Sequence, residues 1–314
     1  MDRKLSVDIL KILMAVMVVG IHANPLKPLG HDAIMLSGGG VYRLAVPVFF
    51  VINGYFLGPV LQGGGAARYV RRLLVLYALW TLLYLPAWYG VLKGGAAWPP
   101  LRMLLVGWWQ LWYLPGLALA AALVALVRDW TTPRLIAVMA GSFLAGVAIV
   151  YGIAFDLIHP NKALIGDATI LHRNGLFMGL PFVLAGFLIR RHQFDQRLGL
   201  PVLVAVAVLG VALVMGESLA LDRLAPKGAG HDNLLALGLA SPALLLLALK
   251  FPRQSASKVL GTYSSGIYFI HVAFCVIGFR YTDLGSFWIF WLAVTGSVAV
   301  TWGLIRSGLS RRLL

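Results

Sequence analysis

The chain has 314 residues, of which 60% are hydrophobic and 12% charged, and its mean hydropathy is +0.87. That balance excludes a water-soluble domain of ordinary composition. A net charge of +15 would suit nucleic acid, but the basic residues follow membrane topology instead, so no nucleic-acid partner is expected.

Ten apolar stretches, each near the ~20 residues that cross a ~30 Å hydrocarbon core, lie at 7–24, 41–61, 69–92, 109–127, 133–155, 174–190, 200–217, 233–250, 264–281 and 286–305. They predict an all-α, polytopic integral membrane protein of about ten transmembrane helices, in one domain over residues 1–314. No hydrophilic stretch is long enough for a separate soluble core, and the short alternating segments of a β-barrel do not occur. With the N-terminus inside, sixteen basic residues fall in inner segments, Arg3, Lys4, Arg68, Arg71 and Arg72 among them. Eight fall outside: Lys27, Lys93, Arg102, Lys162, Arg173, Arg223, Lys227 and Arg280. The excess predicts cytoplasmic termini and multi-pass insertion in the inner cell membrane, with lipid headgroups as partners of the basic loops. Arg3 and Lys4 ahead of an apolar run resemble a secretory signal. Asp8 and Lys11 interrupt that run and no A-x-A site follows, so an uncleaved first helix is expected. The strings Gly38-Gly39-Gly40 and Gly63-Gly64-Gly65 fit no phosphate-binding fingerprint and read as flexible loops. Cys275 is the single cysteine, which leaves no internal disulfide.

A charge inside a membrane helix is costly unless paired or hydrated, so each one is a functional candidate. In the first stretch Asp8, Lys11 and His22 fall within a stripe about 60° wide, and Lys11 and His22 stand about 16 Å apart along the axis. Asp8 and Lys11 also suit an interfacial i,i+3 pair, with Lys11 reaching to the headgroups. His22 follows the apolar run MAVMVVGI and would need a hydrogen-bond partner there. A neutral imidazole is a base, able to take the proton of a hydroxyl as that oxygen attacks a thioester. A metal role is disfavoured, because no second His, Cys or carboxylate stands at ligand spacing on this helix. In the second stretch Arg43 enters from the outer side and Asn53 lies about 15 Å deeper; snorkelling and interhelical hydrogen bonding are their structural alternatives. His271, in the ninth, is open between a packed and a catalytic role.

At these residues the chain resembles the acyltransferase 3 family of membrane acyltransferases. Lys11 and His22 fit its basic-residue, ten-residue-gap, histidine motif, which Asp8 precedes. Arg43 to Phe56 resembles R-x-x-V-P-x-F-F-x-x-S-G-F, with Asn53 at the serine. Leu111-Trp112-Tyr113-Leu114 resembles L-W-F-L, and Ser265 to His271, through Tyr268, resembles S-x-G-I-Y-x-x-H. Arg173-Asn174-Gly175 followed by Gly186 matches a pattern in part of the family. Some members carry an appended soluble hydrolase-like or racemase domain; none is expected here.

The resemblance implies transfer of an acyl group, usually acetyl, from cytoplasmic acetyl-CoA or another acyl-CoA to a hydroxyl of an exported or lipid-linked glycan. The phosphates of the donor would suit Lys11 and the Arg68, Arg71, Arg72 cluster, for which topology alone is the alternative reading. Arg43 and Arg173 are the outer basic residues nearest the depth of His22, suited to negative charge developing on a carbonyl oxygen. Tyr42, Trp98, Trp108, Trp109 and Trp112 could stack on sugar rings or form an interfacial belt. Two other readings stand beside this one: a transporter or flippase of a small polar or lipid-linked substrate, and a non-catalytic assembly subunit.

Overall fold

The computed structural model describes residues 4–92, 98–161, 167–225, 230–251, 253–254 and 257–314. Arg3, Lys93, Lys162 and Lys227 lie outside them, as do the side chains of Trp98 and Arg102. Among the described residues there are ten helices of 13 residues or more: α1 (Leu5–Ala23), α2 (Ala45–Gln62), α3 (Ala66–Leu83), α4 (Tyr113–Val127), α5 (Thr132–Ala154), α6 (Leu180–His192), α7 (Leu200–Leu224), α8 (Leu237–Leu249), α9 (Val259–Tyr281) and α10 (Ser286–Arg306).

Each apolar stretch of the sequence carries one of these helices, but only seven helical segments among the described residues are long and apolar enough to cross a membrane. The differences have local causes. The stretch 69–92 breaks at Tyr84, because Pro86 follows and cannot continue the helical hydrogen-bond ladder. The stretch 174–190 opens with a π turn, Gly175–Gly179, whose first amides are capped by the Asn174 side chain. In 233–250 the helix begins only at Leu237 and runs 13 residues. Its entrance is held by the Glu217 carboxylate, which accepts from the amides of Leu235 and Ala236, as an anion at a helix N-terminus should.

Neighbouring helices run in alternate directions. At one end Lys4 donates to the Leu249 carbonyl, Arg128 to that of Leu61, and Thr132 meets His192. At the other end His31 meets Asp222, Arg223 meets Asp32, and Ser218 donates to the Met35 carbonyl. Leu314 shares a cavity with Lys11 and Arg72, so it lies at the same end as Lys4 and the start of α1. α2 and α6 meet closely, since a Cβ on Gly54 or Gly186 would collide with the other helix's backbone, the small-residue contact by which membrane helices pack. Around this pair α1 packs on α9, α2 and α10, and α4 on α3 and α6.

Candidate active site at the end of the first helix

α1 ends one residue after His22, because Asn24 adopts the left-handed conformation that asparagine tolerates. The imidazole is half-buried. The hydrogen-bond partner expected for it is not found among the described residues; ring contacts hold it instead. Trp109 stacks on it at 5.1 Å between centroids, and His271 stands at 5.3 Å. His271 is fully buried and commits Nδ1 to the Ile267 carbonyl, at 2.9 Å.

A small cavity of about 30 Å³ borders His22, walled by Arg43, Gln110, Trp112, Arg173, Asp232 and Tyr268. Arg43 reaches it from the 3-10 turn Val41–Leu44, with Nε donating to the Gly38 carbonyl at 2.7 Å and a terminal nitrogen to Asp232. The Gly38–Gly40 string, expected as a flexible loop, is a buried turn instead. A Cβ on Gly39 would meet the His231 ring and the Ser218 hydroxyl. Arg173 comes from the segment just before the π turn, 3.9 Å from Asp232 and 5.5 Å above the Trp112 ring. Asn174 faces away from the cavity and works as the cap of that turn, also donating to Ile170 and Leu171.

Asp232 thus joins the two arginines. Burial alone would raise its carboxyl, but Arg43, Arg173 and His172 outweigh that and hold it at about 2, below the ordinary 3.8. It remains an anion at any physiological pH. Burial pushes the flanking His172 and His231 below the usual imidazole value, and His231 bonds Ser218 at 2.9 Å.

At the Lys11 end a larger cavity, about 320 Å³, is lined by Lys11, Asn53, Tyr69, Arg72, Tyr113 and Tyr268. Lys11 stands 3.6 Å from the buried Asp8 and 5.3 Å over the Phe56 ring. Of the arginine cluster Arg72 lines this cavity; Arg68 and Arg71 are exposed on the same helix. Asn53 accepts from Tyr69 at 2.9 Å and donates to Tyr113 at 2.8 Å and to the Phe49 carbonyl. This triad fixes the cavity wall. Tyr268 belongs to both cavities, its hydroxyl donating to the Gln110 carbonyl at 2.5 Å. A third cavity, about 680 Å³, opens between α2, α4 and α6 beside Arg128, Arg190 and Arg191, and none of the residues above lines it.

Lys11, Asn53, Arg72 and Tyr268 therefore gather around one cavity, and His22, Arg43, Trp112, Arg173 and Tyr268 around the next. The whole set is drawn from across the chain, as is the match of the acyltransferase 3 family, described as an acyltransferase domain, whose profile covers residues 4–306. The chain belongs to that family. It is 27% identical to a serine/alanine racemase of Enterococcus gallinarum over 291 residues, 85% of this chain and 40% of that protein. An amino-acid racemase of Enterococcus faecalis is 28% identical over 283 residues, 82% of this chain and 38% of that protein. The chain thus spans about 40% of the length of these curated relatives. No solved structure matches it significantly. The chain thus joins the family's acyltransferase domain with seven described helical segments long and apolar enough to cross a membrane.

Sequence reasoning missed Asp232, Gln110 and Tyr69, and gave Tyr113 no role beyond its place in the Leu111-Trp112-Tyr113-Leu114 element. The signal for Asp232 was the polar triplet His231-Asp232-Asn233 standing directly before an apolar run.

Proposed function

We propose that the protein is an acyl-CoA-dependent O-acyltransferase of the inner cell membrane, moving an acetyl or similar acyl group to a hydroxyl on an exported or lipid-linked glycan. The observation that carries this reading is Tyr268, which lines both the basic cavity of Lys11 and Arg72 and the cavity of His22. A long, thin donor with a polyanionic head suits that arrangement. Its phosphates would lie by Lys11 and Arg72 at the cytoplasmic end, and its thioester at the Tyr268 layer, beside His22.

In the reaction His22 takes the proton of the acceptor hydroxyl while that oxygen bonds to the thioester carbonyl carbon. Arg43 and Arg173 face the negative charge that develops on the carbonyl oxygen. The C–S bond then breaks, and the departing thiolate receives the proton held on His22. Asp232 keeps the two cations together without neutralising both. His22 suits the role of base because its ring is fixed by stacking and its nitrogens are not committed to other described residues.

The test is release of CoA from acetyl-CoA by purified protein in lipid nanodiscs supplied with a glycan or lipid-linked hydroxyl acceptor. The wild type should turn over, and His22→Ala and His22→Gln should both be inactive while folding and binding acetyl-CoA normally. Activity in His22→Gln would make the imidazole a packing residue. Movement of a polar substrate across the bilayer without any thioester cleavage would establish the transporter alternative instead.

A further inference from the structure

His22 borders another cavity, lined by neither Arg43 nor Arg173, that the reading above leaves unused. It measures about 580 Å³ and is lined by His22, Asn24, Lys27, Phe279, Ser286 and Ile289. Phe279 is also a wall of an adjoining cavity of about 300 Å³, whose other sides include Trp88, Trp108, Trp109 and Arg280. The two therefore share the Phe279 ring as a common wall. Trp109 connects them to the reactive histidine, since it lines the second cavity and stacks on the imidazole.

Trp109 is unusual in its backbone as well. Its φ is +48, in the left-handed region that bulky residues rarely enter. Strain of this kind persists only where surrounding structure enforces it. An indole that merely anchored the protein at the membrane surface would need neither the strain nor the histidine contact. Trp109 nevertheless keeps 36% of its surface open, and Trp108 stands at 5.5 Å and 37° to it. The result is an aromatic platform next to the base.

The charge around this platform has one sign. Lys27 lines the first cavity and Arg280 the second, both exposed. Among the described residues no carboxylate lines either cavity; Asp283, in the turn between α9 and α10, is a wall of neither. Aromatic faces suit the apolar face of a pyranose ring, and a cation on each side suits a phosphate.

We propose that these two adjoining cavities form the acceptor site and that the acceptor is a hexose carrying a phosphate. The ring lies on Trp109, the phosphate between Lys27 and Arg280, and a hydroxyl turns toward His22. This rests on the acyltransferase reading for its purpose, but its binding test stands apart from turnover. Saturation-transfer NMR on the full chain in neutral-lipid nanodiscs compares three probes: glucose 1-phosphate, its decyl phosphodiester and methyl glucoside. Both phosphorylated probes should bind about tenfold or more tighter than methyl glucoside. The double variant Lys27→Gln, Arg280→Gln, altered only at exposed positions, should remove that advantage while methyl glucoside binds as before. Trp109→Ala should weaken all three probes. Preference for the decyl probe assigns a lipid-linked sugar phosphate, and equal binding a free one; both fit the proposal. Absence of any preference for phosphate in the wild type, or an unchanged preference in the double variant, overturns it. CoA release without phosphate preference rejects this inference alone, whereas phosphate-selective binding without CoA release rejects the acyltransferase reading and leaves the site.

Discussion

Asp232→Asn isolates charge from shape in the arginine cluster. The asparagine fits the same space, Arg43 keeps its bond to the Gly38 carbonyl, and Arg173 keeps its contact with Trp112, so the variant should fold. What it loses is the anion. A carboxyl held at about 2 instead of 3.8 stabilises the folded protein by about 2 kcal/mol at neutral pH, and with the side chain 10% exposed solvent screening removes little of that. The folded value lies below the unfolded one. The stabilisation is therefore complete above about pH 5, falls to about half near pH 3, and is lost as the pH drops below about 2. Reversible unfolding in detergent at about pH 7 and about pH 3 should show the wild type ahead by about 2 kcal/mol at the first and about 1 at the second. An equal gap at both values would refute the argument, because the carboxylate's charge would then contribute nothing beyond its hydrogen bonds.

Lys11→Ala should weaken acetyl-CoA binding about tenfold by calorimetry while Lys11→Arg retains most of it; unchanged affinity in the alanine variant would leave Lys11 as a partner of Asp8 alone. Arg43→Ala and Arg173→Ala should each lower turnover by about 10²–10³ at saturating donor, and wild-type rates in both would end the assignment to the carbonyl oxygen. Cysteines introduced as Gly30→Cys and Arg71→Cys, in a Cys275→Ala background, should be labelled from opposite faces of the membrane, with Arg71→Cys reached from the cytoplasm. Labelling of both from one face would break the topology.

Hydropathy carried the helices well, because each stretch must satisfy its own backbone in lipid and leaves a long apolar run as its trace. It carried the ends poorly. The break at Tyr84, the π turn after Asn174 and the late start at Leu237 depend on Pro86, on a side-chain cap and on Glu217 from another helix, none of which changes mean hydropathy. The site divides in the same way. Asp8, Lys11 and His22 share a helix, so periodicity alone aligned them. Asp232 meets Arg43 across 189 residues, a distance no local pattern spans. Arg72 separated from Arg68 and Arg71 because only one face of α3 turns toward the cavity. Asn174 was grouped with Arg173 by the family pattern that spans both, yet consecutive residues leave a turn in different directions, and one caps while the other reaches the cavity.

Tyr268, shared by the two cavities, has an electrical consequence. Wherever cavities on the two sides of a bilayer hold water, they carry the bulk potential inward, and the voltage drops mainly over the protein that remains between them. A unit charge crossing that thin partition would feel about 2.3 kcal/mol per 100 mV. A neutral two-carbon fragment would feel none. The electrical work on anything crossing at Tyr268 thus depends on its charge and sign, not on its size.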